Sequence, residues 1–252
     1  MIIKKLSNIK IQLALFLTLF AFYIAFISKS GALLKNIAIA VICALATECL
    51  LTYIKERTRV ISSSAVITGL IIGLVISSSG QAAWITPLAV LVAIGSKYLL
   101  RLKGRHIFNP AGLGILFMIL LFNSSTDWSG TYYWYILGPA GLYFSYKIRK
   151  LEVILSYFIV SLLLFGAQAL AQKIYLSAVF GYFSYFFIFI MLIEPKTSPV
   201  SKIGKIIFGA GTAALIFTFT QAGIRFDAEL TSLLVMNLTV PFLNQIKERS
   251  KP

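Results

Sequence analysis

A chain of 252 residues would ordinarily supply one or two soluble domains, but 59% of these residues are hydrophobic and the mean hydropathy is +0.89, which excludes a water-soluble fold. The net charge of +15 would point to nucleic acid in a soluble protein. Here the Lys and Arg residues stand in short joints between apolar runs, so they read as anchors at a lipid surface, and no nucleic-acid partner is expected.

A bilayer core needs about 20 apolar residues per helix, and apolar runs recur from Ile11 to Leu243. Ten candidate spans follow: 11–28, 33–54, 61–77, 83–100, 108–122, 131–146, 151–172, 177–193, 203–221 and 229–245. The first comes after Lys4, Lys5 and Lys10 in the manner of a signal peptide, but it lacks a small-residue cleavage site and is expected to be retained. The joints leave no room for a globular domain outside the membrane. Cys43 and Cys49 lie six residues apart on the second span. At about 100° per residue they face different ways, so they read as small buried apolar residues, not as a disulfide or a metal pair.

The basic residues set the orientation. Those before the first span and those at 55–59, 97–105, 147–150, 196–205 and the C-terminus fall on one side and make up 19 of the 23. Only Lys29, Lys35, Lys173 and Arg225 fall on the other. The rich side is therefore cytoplasmic, with both termini inside a multi-pass protein of the cell membrane. Ten spans divide into two sets of five, and because five is odd the second set crosses in the opposite sense. The expectation is an all-α polytopic membrane protein of about ten helices in two inverted five-helix repeats, residues 1–125 and 126–252. The third span of each set is rich in Gly or Ser and runs into a polar turn, SSSGQ (77–81) and EPKTSP (194–199). The fifth spans carry FNPAGLGIL (108–116) and MNLTVPFLN (236–244), each with an Asn shortly before a Pro. Asn109 and Pro110 suit an N-cap and first helical position.

No soluble-enzyme constellation is present: His106 stands alone, and there is neither a phosphate loop nor zinc spacing. No catalytic side chain and no metal site are expected. The informative residues are polar groups inside apolar spans, where a central charge costs about 2.5–3.5 kcal/mol on insertion scales. Glu48 lies about 10 Å deeper than its anchor Lys55 and reads either as an ion-path or bundle-interior group or as a carboxylate in a structural hydrogen bond or snorkelling to the surface. Glu194 closes the eighth span and reads either as a second ion position or as an interfacial carboxylate beside Lys196. Lys97 is expected to snorkel to the cytoplasmic surface. Asp127, Asp227 and Glu229 are expected in solvated outer loops. The aromatic run TYYWY (131–135) suits the headgroup level, and FGYFSYFFIF (180–189) suits helix packing.

Four stretches resemble one family in its order: SSSAVITGLIIGLVISSS (62–79), GRHIFNPAGLG (104–114), IFIMLIEPKTSPVSKIGKIIFGAGTAAL (188–215) and LLVMNLTVPFLNQ (233–245). The chain resembles the D subunit of Rnf electron-transport complexes and the B subunit of the sodium-translocating NADH:quinone reductase. That resemblance implies ten spans in two inverted repeats of urea-transporter type. It also implies work beside other membrane subunits of a redox complex that couples electron transfer to Na⁺ or H⁺ movement. Ion positions would fall on Glu48 and Glu194. From the residues themselves, Glu48, Asn109 and Asn237 are expected to line one polar site between the two repeats, with Glu194 near its cytoplasmic mouth, because buried polar groups need partners and inverted repeats place broken helix ends at their interface. A noncovalent riboflavin or FMN would sit near His106 and Asn109, where the family's Asn-x-x-Asn-Pro-Ala segment is kept except at His106. Relatives also carry a covalent FMN on a Thr in the loop after the fifth span, within a Ser/Thr-x-Ala-Thr motif. Here that loop reads NSSTDWSG (123–130), so no covalent FMN is expected. A flavin-free channel or transporter for a small solute or ion, and a scaffold subunit, are the alternatives.

Overall fold

The computed structural model describes residues 8–57, 62–102, 104–224 and 226–246. Lys4, Lys5, Arg59, Lys103, Arg225 and the basic C-terminus lie outside them. The described chain is helical apart from one short hairpin, as an all-α polytopic membrane protein requires. In chain order come α1 (Ile9–Ile27), α2 (Gly31–Glu56), α3 (Ser63–Val75), α4 (Ile85–Leu99), β1 (Arg101–Leu102), β2 (Arg105–His106) and α5 (Pro110–Phe122). Then follow α6 (Trp134–Lys147), α7 (Leu151–Ala171), a 3-10 segment (Leu176–Tyr182), a π segment (Phe187–Met191), α8 (Lys202–Gln221) and α9 (Ala228–Leu243). The chain divides into two compact units, the first of residues 1–106 and 110–132 and the second of residues 107–109 and 133–252.

Helix ends follow from local chemistry. Ser30, Ser62, Ser201 and Asp227 accept hydrogen bonds from first-turn N–H groups of α2, α3, α8 and α9. Lys29, Arg57, Arg149 and Lys173 take left-handed backbone angles just after α1, α2, α6 and α7. Each also puts a positive charge near a helix C-terminus, where the dipole favours it.

Four helices, α1, α2, α7 and α8, are long and apolar enough to cross a membrane, while α3, α4, α5 and α9 are apolar but shorter. At 1.5 Å per residue the 13 residues of α3 rise only about 20 Å. The eighth candidate span is not an α-helix: residues 177–193 form the 3-10 segment and the π segment, joined through Phe183–Phe186. Crowded rings account for the break. Phe158 of α7 lies edge-on to Phe183 and tilted against Phe189, and Tyr157 packs on Phe187.

In the first unit α2 packs on α3 and α4, α4 on α5, and α1 on α3 and α2. The second unit repeats part of the pattern: α7 packs on the 3-10 segment and α8, α8 on α9, and α6 on the π segment and α7, while the contacts of α3 with α4 and α5 belong to the first unit. Small residues allow the closest approaches. A Cβ on Gly69 would lie 2.8 Å from Val41 Cα, and one on Gly73 would lie 2.7 Å from Ile37 Cα, so the GLIIG of α3 presses backbone to backbone on α2. Gly209 of α8 does the same against the Val153 carbonyl of α7.

Candidate functional site

Each unit has a place where its third element stops and the chain goes on without helical hydrogen bonds. In lipid such backbone must be satisfied from within the protein. In the first unit α3 ends at Val75, and Ile76 forms an antiparallel bridge with Thr126. The loop 123–130 lies along this end: Asp127 and Ser129 donate their N–H groups to the Val75 and Leu74 carbonyls, and the Ser77 N–H donates to the Ser125 carbonyl. From α2 the Asn36 amide donates to the Gly73 and Ile76 carbonyls at 3.1 and 3.3 Å, and it is held by the Thr86 hydroxyl of α4 at 2.6 Å.

In the second unit the break runs from Leu192 to Ser201. Asn109 donates its side-chain amide to the Met191 carbonyl at 3.3 Å and its backbone N–H to Asn237 Oδ1 at 2.8 Å. Asn237, on α9 and 0% exposed, donates in turn to the Thr197 carbonyl at 2.9 Å. The Thr197 hydroxyl donates to the Glu194 carboxylate at 3.2 Å. Lys150, buried at the start of α7, donates to the Ser198 and Pro199 carbonyls. Asn109, Asn237 and Glu194 thus belong to one hydrogen-bonded chain, whereas Glu48, expected beside the two Asn residues, pairs with Lys97. The Asn109 side chain reaches across to Met191, and its residue directly precedes Pro110, the first residue of α5.

Glu48 belongs to the first unit. Its carboxylate lies 3.6 Å from Lys97 Nζ, and Lys97 also donates to the Ser64 hydroxyl and carbonyl at 3.2 and 3.3 Å. Lys97 therefore does not snorkel to the surface. It is 5% exposed because a buried carboxylate and the first turn of α3 hold it. The second unit has a pair of the same kind, Glu152 on α7 and Lys205 on α8 at 3.1 Å. Among the described residues, each unit thus has a Glu–Lys pair joining its second and fourth elements. His106 is buried in β2, opposite Arg101 in the hairpin register. Glu229 is not in a loop: it stands in the first turn of α9 behind its cap Asp227.

Asn36, Lys150 and the Glu152–Lys205 pair were not expected from the sequence. Asn36 was visible as a lone amide in an apolar run. Lys150 carries no signal that separates it from its neighbours Lys147 and Arg149, because only the fold brings Ser198 and Pro199 to it.

Against known proteins, the profile described as the NQR2, RnfD, RnfE family matches residues 3–135 and 133–251. A stretch of 53 residues is 36% identical to the D subunit of the ion-translocating oxidoreductase complex of Stutzerimonas stutzeri. That stretch spans 21% of this chain and 15% of that relative. An apolar helical chain with two broken third elements, matched by the profile through both units, belongs to the NQR2, RnfD, RnfE family.

Proposed function

We propose that this protein is a membrane subunit of an Rnf- or Nqr-like complex that couples electron transfer to movement of Na⁺ or H⁺, with its partners the other membrane subunits. The family match through both units carries this reading. The name of the Stutzerimonas relative supports it, and so do two buried polar centres in a fold otherwise built of apolar helices. Glu48, Glu194 and Asn237 are the proposed ion-path residues. Purification in mild detergent with mass spectrometry of co-purifying proteins tests it. Recovery with membrane redox subunits is the expected result, and a chain that purifies alone and conducts a solute in liposomes would overturn it.

The similar packing of the two units and their paired Glu–Lys contacts support two inverted repeats of five spans each, and the gathering of basic residues in one set of joints supports both termini on the cytoplasmic side of the cell membrane. In a Cys-free background, cysteine at exposed Ser125 is expected to label in intact cells with an impermeant reagent, and cysteine at Ser250 is not. The reverse pattern would reject the orientation.

A noncovalent riboflavin or FMN at His106 and Asn109 enters this proposal only in a restricted form. Asn109 donates one amide hydrogen to the Met191 carbonyl and its backbone N–H to Asn237, so a flavin there would share Asn109 with the break at 192–201. Flavin absorption of the purified protein tests that form. Covalent attachment in the loop 123–130 is not expected, since its backbone is pinned along the end of α3 and Thr126 is followed by Asp127. Co-expression with a flavin transferase is expected to leave the intact mass unchanged, whereas a gain of one FMN phosphoryl group would point to Thr126. These same observations favour the alternative of a flavin-free channel or transporter, which solute flux into liposomes would detect.

A further inference from the structure

The C-terminal ends of α2 and α4 meet near the first turn of α3, at the opposite end of that helix from its break. There one ring gathers two cations. Tyr98 of α4 has Lys55 Nζ of α2 at 5.8 Å from its centroid and the Arg101 guanidinium of β1 at 4.9 Å. The Arg101 Nε also donates to the Lys97 carbonyl, which fixes that side chain against the end of α4. A third cation, Arg57, stands 6.0 Å from the Tyr53 ring at the end of α2.

These charges are in excess. Between positions 49 and 126 the sequence has seven Lys and Arg residues and a single acid, Glu56, which cannot neutralise them all. Lys97, one of the seven, is engaged by Glu48. Among the described residues neither Lys55 nor Arg101 has a carboxylate within ion-pair reach. A ring face holds a cation in place without cancelling its charge. The ends of α2 and α4 add only about half a negative charge each, so the cluster stays cationic. Its surroundings are apolar: Ile54 on α2 and Leu102 on β1 are exposed, and Leu99, two residues before Arg101, is 82% exposed. Tyrosine and basic residues bordered by exposed aliphatic side chains suit the headgroup level of a bilayer.

We propose that Lys55, Tyr98 and Arg101 form a site for the headgroup of one anionic phospholipid, whose acyl chains cover Ile54, Leu99 and Leu102. With its Nε turned to the Lys97 carbonyl, Arg101 keeps both Nη groups for a phosphodiester, and Lys55 adds a point charge beside the same ring. A soluble anion would meet the charges but not the exposed aliphatic side chains, and this favours the lipid. The site rests on the membrane fold of the chain and is independent of the redox reading.

The test is native mass spectrometry of the purified full-length chain, titrated in mild detergent with phosphatidylglycerol or with phosphatidylcholine. Saturable retention of phosphatidylglycerol in preference to phosphatidylcholine is expected. Lys55→Gln and Arg101→Gln are each expected to weaken it about fivefold, as for loss of one basic residue beside an anionic lipid. Arg101→Lys keeps the charge and is expected to keep most of the retention, which separates loss of charge from loss of the contact with Lys97. Lys147→Gln removes an exposed cation over Tyr143 in the second unit and is expected to change nothing. Folding of each variant is read from its size-exclusion profile. Equal retention of the two lipids by the unaltered chain would overturn the proposal, as would unchanged retention in both glutamine variants of the first unit. An equal loss in Lys147→Gln would do the same by showing general charge attraction, and displacement by an equal concentration of inorganic phosphate would assign the cations to a soluble anion instead.

Discussion

Lys97→Met is expected to destabilise the protein by about 3–5 kcal/mol, the cost of leaving a buried partner charge uncompensated. Lys97 lies between the Glu48 carboxylate and the Ser64 hydroxyl and carbonyl, and both ionic residues are under a tenth exposed. Removing the ammonium leaves a carboxylate among apolar helices, and a large fall in the thermal midpoint in detergent would record it. Glu48→Gln is expected to fall less, because Lys97 keeps its hydrogen bonds to the Ser64 hydroxyl and carbonyl. The double variant Glu48→Gln with Lys97→Met is expected to regain most of the loss, since it buries no unpaired charge. Ion uptake by the assembled complex in proteoliposomes then separates two roles. If Glu48 carries the ion, uptake is abolished in Glu48→Gln and stays absent in the double variant. Full uptake in a stable double variant would show that the pair only joins α2 to α4.

Asn237→Ala is the second large effect. It removes the acceptor for the Asn109 N–H and the donor to the Thr197 carbonyl, leaving two buried backbone groups unpaired at about 1–3 kcal/mol each. The expected loss is about 2–6 kcal/mol, seen as a lower thermal midpoint and faster hydrogen exchange at the Asn109 amide. Asn237→Asp keeps the acceptor but loses the donor, so Asn109 exchange is expected to stay slow while the 194–201 turn loosens. Equal exchange at Asn109 in the alanine and unaltered proteins would remove Asn237 from the chain of contacts running to Glu194.

That the chain lives in lipid was legible from its composition. With apolar runs recurring along the whole chain and most basic residues in or beside the joints, only a multi-pass helical protein could bury its backbone hydrogen bonds. The helix limits were largely legible too, because Ser and Asp caps and basic residues in left-handed positions act within one turn. Single polar residues in apolar runs, Glu48, Asn109 and Asn237, were recognisable because each needs a partner in hydrocarbon. Asn109 and Asn237 were expected to share a site, whereas Lys97 was not expected as the partner of Glu48. Glu48 and Lys97 are 49 positions apart, and Asn109 and Asn237 are separated by 128, so only the packing of α2 on α4 and the return of residues 107–109 to the second unit bring them together. The eighth span had the composition of a helix but became two short segments, because ring packing against α7 outweighed a weak local preference. Glu229 looked like a loop residue, since a first helical turn behind a cap has no signature in composition. Local chemistry thus decided where helices begin and end, and tertiary packing decided which buried polar groups meet, because a hydrogen bond in lipid depends on distance in space and not on distance along the chain.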